Sequence, residues 1–183
     1  MESSYIIFLL QPYYENFNNR LIKSPELYFY DAGLLTHLLG IRTANELLEN
    51  RWRGNIFENL ILAEYQKKNH HLYMNQEYFF WRDSNVHEID LLMKQVDAYS
   101  IYEIKATQTI TNDLFKEMDR FEEISALPKV TKTLICSGAE NEKRTKYTAL
   151  AGKMFLIREL GSPLIFLTST SIVLIQTILK STL

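Results

Sequence analysis

Residues 86–94 and 99–105 are two short runs rich in Ile, Leu, Val and Tyr, with polar residues at alternate positions. That alternation predicts two β-strands joined by a short connection. Side chains at i and i+2 of a strand share a face, roughly 6–7 Å apart along it. Glu88 and Asp90 therefore point one way, and so do Glu103 and Lys105. Pairing the strands as a hairpin brings Asp90, Glu103 and Lys105 together. Two carboxylates and an ammonium among apolar neighbours are expensive to desolvate. Hard oxygen ligands of this kind suit Mg²⁺, which keeps several waters and takes one or two carboxylates. A structural ion-pair network is the alternative reading of the same cluster.

Asp90 followed by Glu103-Ile104-Lys105 resembles the PD-(D/E)xK signature of the restriction-endonuclease-like nucleases. The resemblance implies that Asp90 and Glu103 hold Mg²⁺ or Mn²⁺. It implies that Lys105 positions or helps activate the attacking water. A helix upstream often supplies a further Glu in that superfamily, and Glu58 stands in the matching place. The chain departs from the signature at Ile89, where the motif has proline.

At 183 residues the chain is long enough for one domain plus appendages, and 46% hydrophobic residues supply a real core. A net charge of -2 gives no global attraction to nucleic acid, so any such contact is a local patch. The single cysteine, Cys136, lies in an apolar run and reads as a buried thiol. One cysteine excludes an intrachain disulfide framework, which fits a cytoplasmic location. Glu2 and a short apolar run do not make a secretory signal.

Taken in order, residues 5–10 read as a buried strand and residues 21–30 as its extended return, with a turn at 15–19. Pro25 suits an edge position of that hairpin. Asp31 can cap a helix closed by Gly40, and Thr43 with Glu46 forms a capping box. The strongest helix runs from Asn50 to about Lys68, with Ile56, Phe57, Leu60, Ile61 and Ala63 at helical spacing. A strand at 78–82, the two acidic strands, a helix from Asn112 or Asp113 to Ile124 and a strand at 130–137 follow. Helix, three strands, helix, strand gives an α/β three-layer core. That αβββαβ order with a mixed sheet is also the restriction-endonuclease-like one. Residues 140–146 read as a solvated charged loop.

A wider resemblance rests on linked motifs. They are Leu27-Tyr28-Phe29-Tyr30-Asp31-Ala32-Gly33-Leu34, Arg53-Gly54-Asn55-Ile56-Phe57-Glu58-Asn59, Phe80-Trp81-Arg82-Asp83, Glu88-Ile89-Asp90 and Glu103-Ile104-Lys105. Together they resemble a DUF4143 domain, the C-terminal domain of prokaryotic AAA-type ATPases, over about residues 1–140. The resemblance implies an ATPase domain upstream, joined through a winged-helix-like segment of which residues 5–30 would be the wing. The chain has no Gly-x4-Gly-Lys-Ser/Thr loop. It reads as a piece of a larger protein, with residues 1–49 as wing and linker, 50–157 as the nuclease-like domain and 158–183 as an apolar C-terminal segment.

The remaining candidates have plain readings. Glu88 reads as a neighbour of the site or a salt-bridge partner. His87 reads as a solvated strand residue, and His70-His71 as a helix-ending loop without carboxylates at zinc spacing. Tyr78, Phe79, Phe80 and Trp81 read as core, and Arg82 as a phosphate contact or an acid's partner. Lys129, Lys132, Lys143, Arg144 and Lys146 read as solvated surface. Residues 163–179 approach a membrane span in length, but a Ser/Thr block interrupts them. A strand, turn and closing helix is the expectation there, with no membrane role favoured. Two functions remain open: metal-dependent hydrolysis of nucleic acid, or a non-catalytic nuclease-like module that serves its ATPase. Loss of the upstream neighbour predicts an apolar surface over residues 5–40, and self-association.

Overall fold

The computed structural model describes residues 4–14, 24–85, 87–138, 142–143 and 146–151. The expected turn at 15–19 and the segment 158–183 lie outside the described residues.

β1 (Ile7–Pro12) and β2 (Glu26–Phe29) pair antiparallel, with Ile7 opposite Phe29, as the apolar runs required. Asp31 caps α1 (Ala32–Leu38), accepting from the Gly33 and Leu34 amides at 2.7 and 3.2 Å. Gly40 then takes φ +74°, a left-handed conformation that suits glycine at a helix end. The Thr43–Glu46 capping box opens α2 (Ala44–Glu49).

α3 (Arg53–His71) is buried on nearly every side at its centre, where Ile56, Phe57, Leu60, Ile61, Leu62 and Ala63 are enclosed. It runs beyond Lys68, so His70 and His71 lie in its last turn rather than in a loop. His70 packs edge-on against Tyr5 and Tyr30. β3 (Glu77–Arg82), β4 (Glu88–Lys94) and β5 (Tyr99–Lys105) form an antiparallel meander. A 3-10 turn (Asn112–Phe115) leads into α4 (Lys116–Ser125), and β6 (Val130–Cys136) returns parallel to β5.

Two further short strands follow, β7 (Glu142–Lys143) and β8 (Thr148–Ala151). Residues 142–143 were expected in a charged loop. β8 is Thr-Ala-Leu-Ala, with little strand propensity of its own, and its parallel pairing with β6 places it. Among the described residues the mixed sheet runs β1-β3-β4-β5-β6-β8-β7, and β2 extends it beyond β1.

Two apolar cores clasp the sheet. On one face α3 buries Phe57, Leu60 and Ile61 against Phe80, Leu91, Met93, Ile104 and Ile135. On the other, Phe115, Met118 and Phe121 meet Trp81, Ile89, Leu92, Ile101 and Leu134. Each such large side chain contributes roughly 1.5–3 kcal/mol of burial. The two faces thus hold the strands between helices, and the strand ends carry the polar residues. Among the described residues no helix is long and apolar enough to cross a membrane.

Candidate functional site

A register shift in β4 places Asp90. Phe79 pairs with Leu92, whereas Trp81 pairs with Ile89, so β4 takes three steps where β3 takes two. The extra residue is a β-bulge, a device that re-aims a side chain. Ile89 and Leu92 both enter the α4-side core, while Leu91 and Met93 enter the α3-side core. Asp90, beside Ile89, therefore faces α3. Its Oδ2 accepts from the Ile104 amide at 2.6 Å, which ties it to the end of β5.

Lys105 spans both expected carboxylates. Its Nζ lies 3.4 Å from Asp90 Oδ2 and 2.6 Å from Glu103 Oε1. The carboxylates are the buried partners: the side chains of Asp90 and Glu103 are 5% and 3% exposed, that of Lys105 36%. Burial, and next the charge of Asp90, push Glu103 up to about 8. Burial also raises Asp90, against the pull of Lys105 and the Ile104 amide. Burial opposes the charge on Lys105, but Asp90 and Glu103 outweigh it and hold the ammonium above its ordinary range. Glu103 Oε2 is buried and has no hydrogen-bond partner. A desolvated carboxylate oxygen without a partner is costly, and it is a free acceptor.

Glu58 comes to the same place from α3. It lines a cavity of about 340 Å³ together with Glu26, Tyr28, Asn55, Arg82, Glu88 and Asp90. Burial and the Asp90 charge push Glu58 up to about 8. The Tyr28 hydroxyl lies 2.6 Å from Glu58 Oε1 and 2.9 Å from Glu26 Oε2. Next along both elements, the Asn59 amide accepts from Phe29 N at 2.8 Å and donates to Phe29 O at 3.0 Å. Asn59 thereby satisfies the open edge of β2 and fastens it to α3.

The other sequence-level candidates separate. Arg82 pairs with acids: Nη1 lies 2.7 Å from Glu26 and Nη2 2.6 Å from Glu88. His87 is no free strand residue; its Nδ1 lies 2.9 Å from Glu117 Oε2 on α4. Lys132 is not solvated surface. Its side chain is 5% exposed and pairs with Asp119 at 2.7 Å and Glu122 at 2.5 Å. Phe80 and Trp81 are core, and Cys136 is buried, with burial raising its thiol. Tyr28 and Glu26 were not foreseen as site residues. Glu26 and Tyr28 alternate along one strand, which placed them on a common face, but nothing in the spacing joined that face to Glu58. Among the described residues no group of three or more His, Cys, Asp or Glu side chains is placed to hold a metal.

Residues 53–154 match the model of DUF4143, a domain of unknown function, over more than half of the chain. The chain belongs to the DUF4143 family. The DUF4143 match begins at the first residue of α3 and contains Glu58, Asp90, Glu103 and Lys105. Residues 1–45 match a second domain of unknown function, DUF8612, which takes in β1, β2 and α1. The motif at residues 27–34 thus falls in this separate match. Two curated relatives are an uncharacterized protein of Mycobacterium bovis, Mb2031c, and an uncharacterized protein of Mycobacterium tuberculosis, Rv2008c. Each is 31% identical over 100 residues, covering 55% of this chain and 22% of the relative. The chain thus matches about a fifth of the length of these relatives. No solved structure matches it.

Proposed function

We propose that the DUF4143 unit is a restriction-endonuclease-like domain that hydrolyses phosphodiester bonds of nucleic acid with the help of Mg²⁺ or Mn²⁺. The observation that carries this reading is the pair of buried carboxylates facing one half-exposed ammonium, with Glu103 Oε2 unpartnered. The order α3, β3, β4, β5, α4, β6, with β6 parallel to β5, agrees with the αβββαβ core that the PD-(D/E)xK resemblance implies. The donor set fits the metal: two oxygen ligands, Asp90 and Glu103, suit an ion that otherwise keeps its waters. When bound there, the ion would stabilise charge on the phosphate and acidify a water. Lys105 would then leave its bridge, to orient that water or donate to a phosphate oxygen. Glu58 would support the site from α3.

The direct test is cleavage of single- and double-stranded DNA and RNA with Mg²⁺ or Mn²⁺, with Asp90→Ala as control. Metal-dependent cleavage lost in Asp90→Ala supports the reading. Cleavage that persists at full rate in Asp90→Ala removes it.

A second reading has its own observation. Tyr5, Tyr14, Leu27, Leu34, Leu38 and Leu39 are exposed large apolar side chains, all within the first forty residues. Trp52, Leu72, Tyr73, Met74 and Val96 are exposed as well, and exposed apolar surface, where contiguous, marks interaction sites. It favours a module that docks on another domain, such as the upstream ATPase that the family resemblance implies. Sedimentation at several concentrations tests it: the chain should self-associate, and a clean monomer at high concentration counts against it.

A further inference from the structure

We propose that Tyr28 is a positioning residue for Glu58, so that the N-terminal segment supplies part of the site of the DUF4143 unit. This inference rests on the metal-site reading above for its functional consequence, and on geometry for the contact itself.

Tyr28 is a rigid post. It is buried, and its ring stacks on Phe8 with centroids 5.7 Å apart and planes at 24°. Its hydroxyl is held from the far side by Glu26, whose other oxygen lies 2.7 Å from Arg82. Arg82 is held in turn by Glu88 at 2.6 Å. Glu58 is the opposite case, a side chain with three rotatable bonds at the wall of a cavity beside Asp90. When ionised, its carboxylate is repelled by Asp90 and Glu26 and drawn to Lys105. The 2.6 Å contact with Tyr28 gives Glu58 another partner and leaves Lys105 to Asp90 and Glu103.

The neighbouring Asn59–Phe29 clamp fixes strand and helix in register, so the Tyr28–Glu58 distance cannot drift by itself. Tyr28 lies in the segment that matches DUF8612, and Glu58 in the one that matches DUF4143. The two family units therefore meet in the site, where Tyr28 reaches Glu58, Glu26 reaches Arg82 and Phe29 is held by Asn59. A residue that orients a metal site from outside the ligand set commonly affects affinity by 10–100-fold when removed.

The test is a double-mutant cycle on the full chain, read by Mn²⁺ titration calorimetry, with carboxyl ¹³C NMR as a second readout. The variants are Tyr28→Phe, Glu58→Ala and both together. Tyr13→Phe serves as control, losing a hydroxyl that lies 3.4 Å from the Tyr99 hydroxyl in the α4-side core. Tyr28→Phe should weaken Mn²⁺ binding by about tenfold. The same change on top of Glu58→Ala should add nothing, and Tyr13→Phe should leave affinity unchanged. In the spectrum Tyr28→Phe should shift the Glu58 carboxyl signal, assigned with Glu58→Gln, and Tyr13→Phe should not. An effect that adds in full to that of Glu58→Ala, or wild-type affinity in Tyr28→Phe, overturns the proposal. If Mn²⁺ binding is indifferent to Asp90→Ala, the metal-site reading falls. Positioning is then judged by the NMR shift alone, and an unmoved Glu58 signal overturns it.

Discussion

Among the described residues two lysines are each held between two carboxylates, and these clusters are built in opposite ways. At Lys132 the ammonium side chain is 5% exposed, and its partners Asp119 and Glu122 are 42% and 47% exposed. At Lys105 the lysine is 36% exposed, and Asp90 and Glu103 are 5% and 3% exposed. Solvated carboxylates can close over a buried ammonium at little cost, because water still reaches the acids. Burying the acids is the expensive choice, and one lysine does not repay it. The consequence is visible in the acids. Burial works against the charge of Asp119, but its bonds to Lys132 and Tyr147 outweigh that and hold it below its ordinary range. Glu103 is pushed up to about 8 and keeps an unpartnered oxygen. The first cluster is complete as an ion-pair network. The second leaves a buried carboxylate oxygen without a partner, which is the basis of the proposed metal role.

The sharpest way to break this contrast is to neutralise each lysine. Lys105→Met should lower any metal-dependent cleavage by orders of magnitude while metal binds at least as well. Lys132→Met should leave cleavage within about twofold, because its acids remain solvated. A gel assay of both variants decides it, and equal loss in the two would erase the distinction.

Stability should separate the clusters next. Removing both acids in Asp119→Ala/Glu122→Ala strands a buried ammonium and should cost about 1–3 kcal/mol. Asn59→Ala should cost a similar ~1–3 kcal/mol, because it opens two bonds to the β2 backbone. In the metal-free protein Glu103→Gln should cost less than either, because burial already holds the Glu103 carboxyl in its neutral form and the amide matches that form in shape. Urea unfolding measures all three, and a Glu103→Gln protein that is the least stable of them would contradict the contrast.

How much of this was legible in the sequence follows from the range of each signal. Period-two alternation placed Asp90, Glu103 and Lys105, because strand geometry is local and the connection between the strands is short. Helical spacing placed Glu58 on α3 for the same reason. The bulge that turns Asp90 toward α3 was not legible, since it is a property of pairing with β3. The roles of Tyr28 and Asn59 were hidden in contacts between residues thirty apart. Lys132 was misread although the signal existed: it shares a strand face with Val130 and Leu134, both on the α4 side. The charge suggested solvent, and the alternation should have outweighed that. β8 carried no strand signal because β6 supplies its reason to be extended.

In pH dependence the two clusters should have opposite signs. Folded Glu58 and Glu103 keep their protons to about pH 8, against roughly pH 4.3 when unfolded. Between those limits the folded chain holds more protons, so stability falls as pH rises. That contribution is fully present below the unfolded value and lost as pH passes 8. Asp119, held low, contributes in the other direction: its share is present above the unfolded value and lost as acid protonates it. Exposure makes the Asp119 share the weaker one. The Tm of the metal-free protein should therefore decline from pH 5 to 8.5. Glu103→Gln should flatten that decline and Asp119→Asn should not. A Tm that rises across this range in the wild-type chain would mean the site carboxylates are not desolvated.

The central claim is that Asp90 and Glu103 form a cation site and the acids around Lys132 do not. Mn²⁺ titration calorimetry addresses it directly, using the wild-type chain, Asp90→Ala/Glu103→Ala and Asp119→Ala/Glu122→Ala. The account predicts saturable binding with proton release in the wild type, loss of binding in the first double variant and retention in the second. Undiminished binding in Asp90→Ala/Glu103→Ala would contradict it.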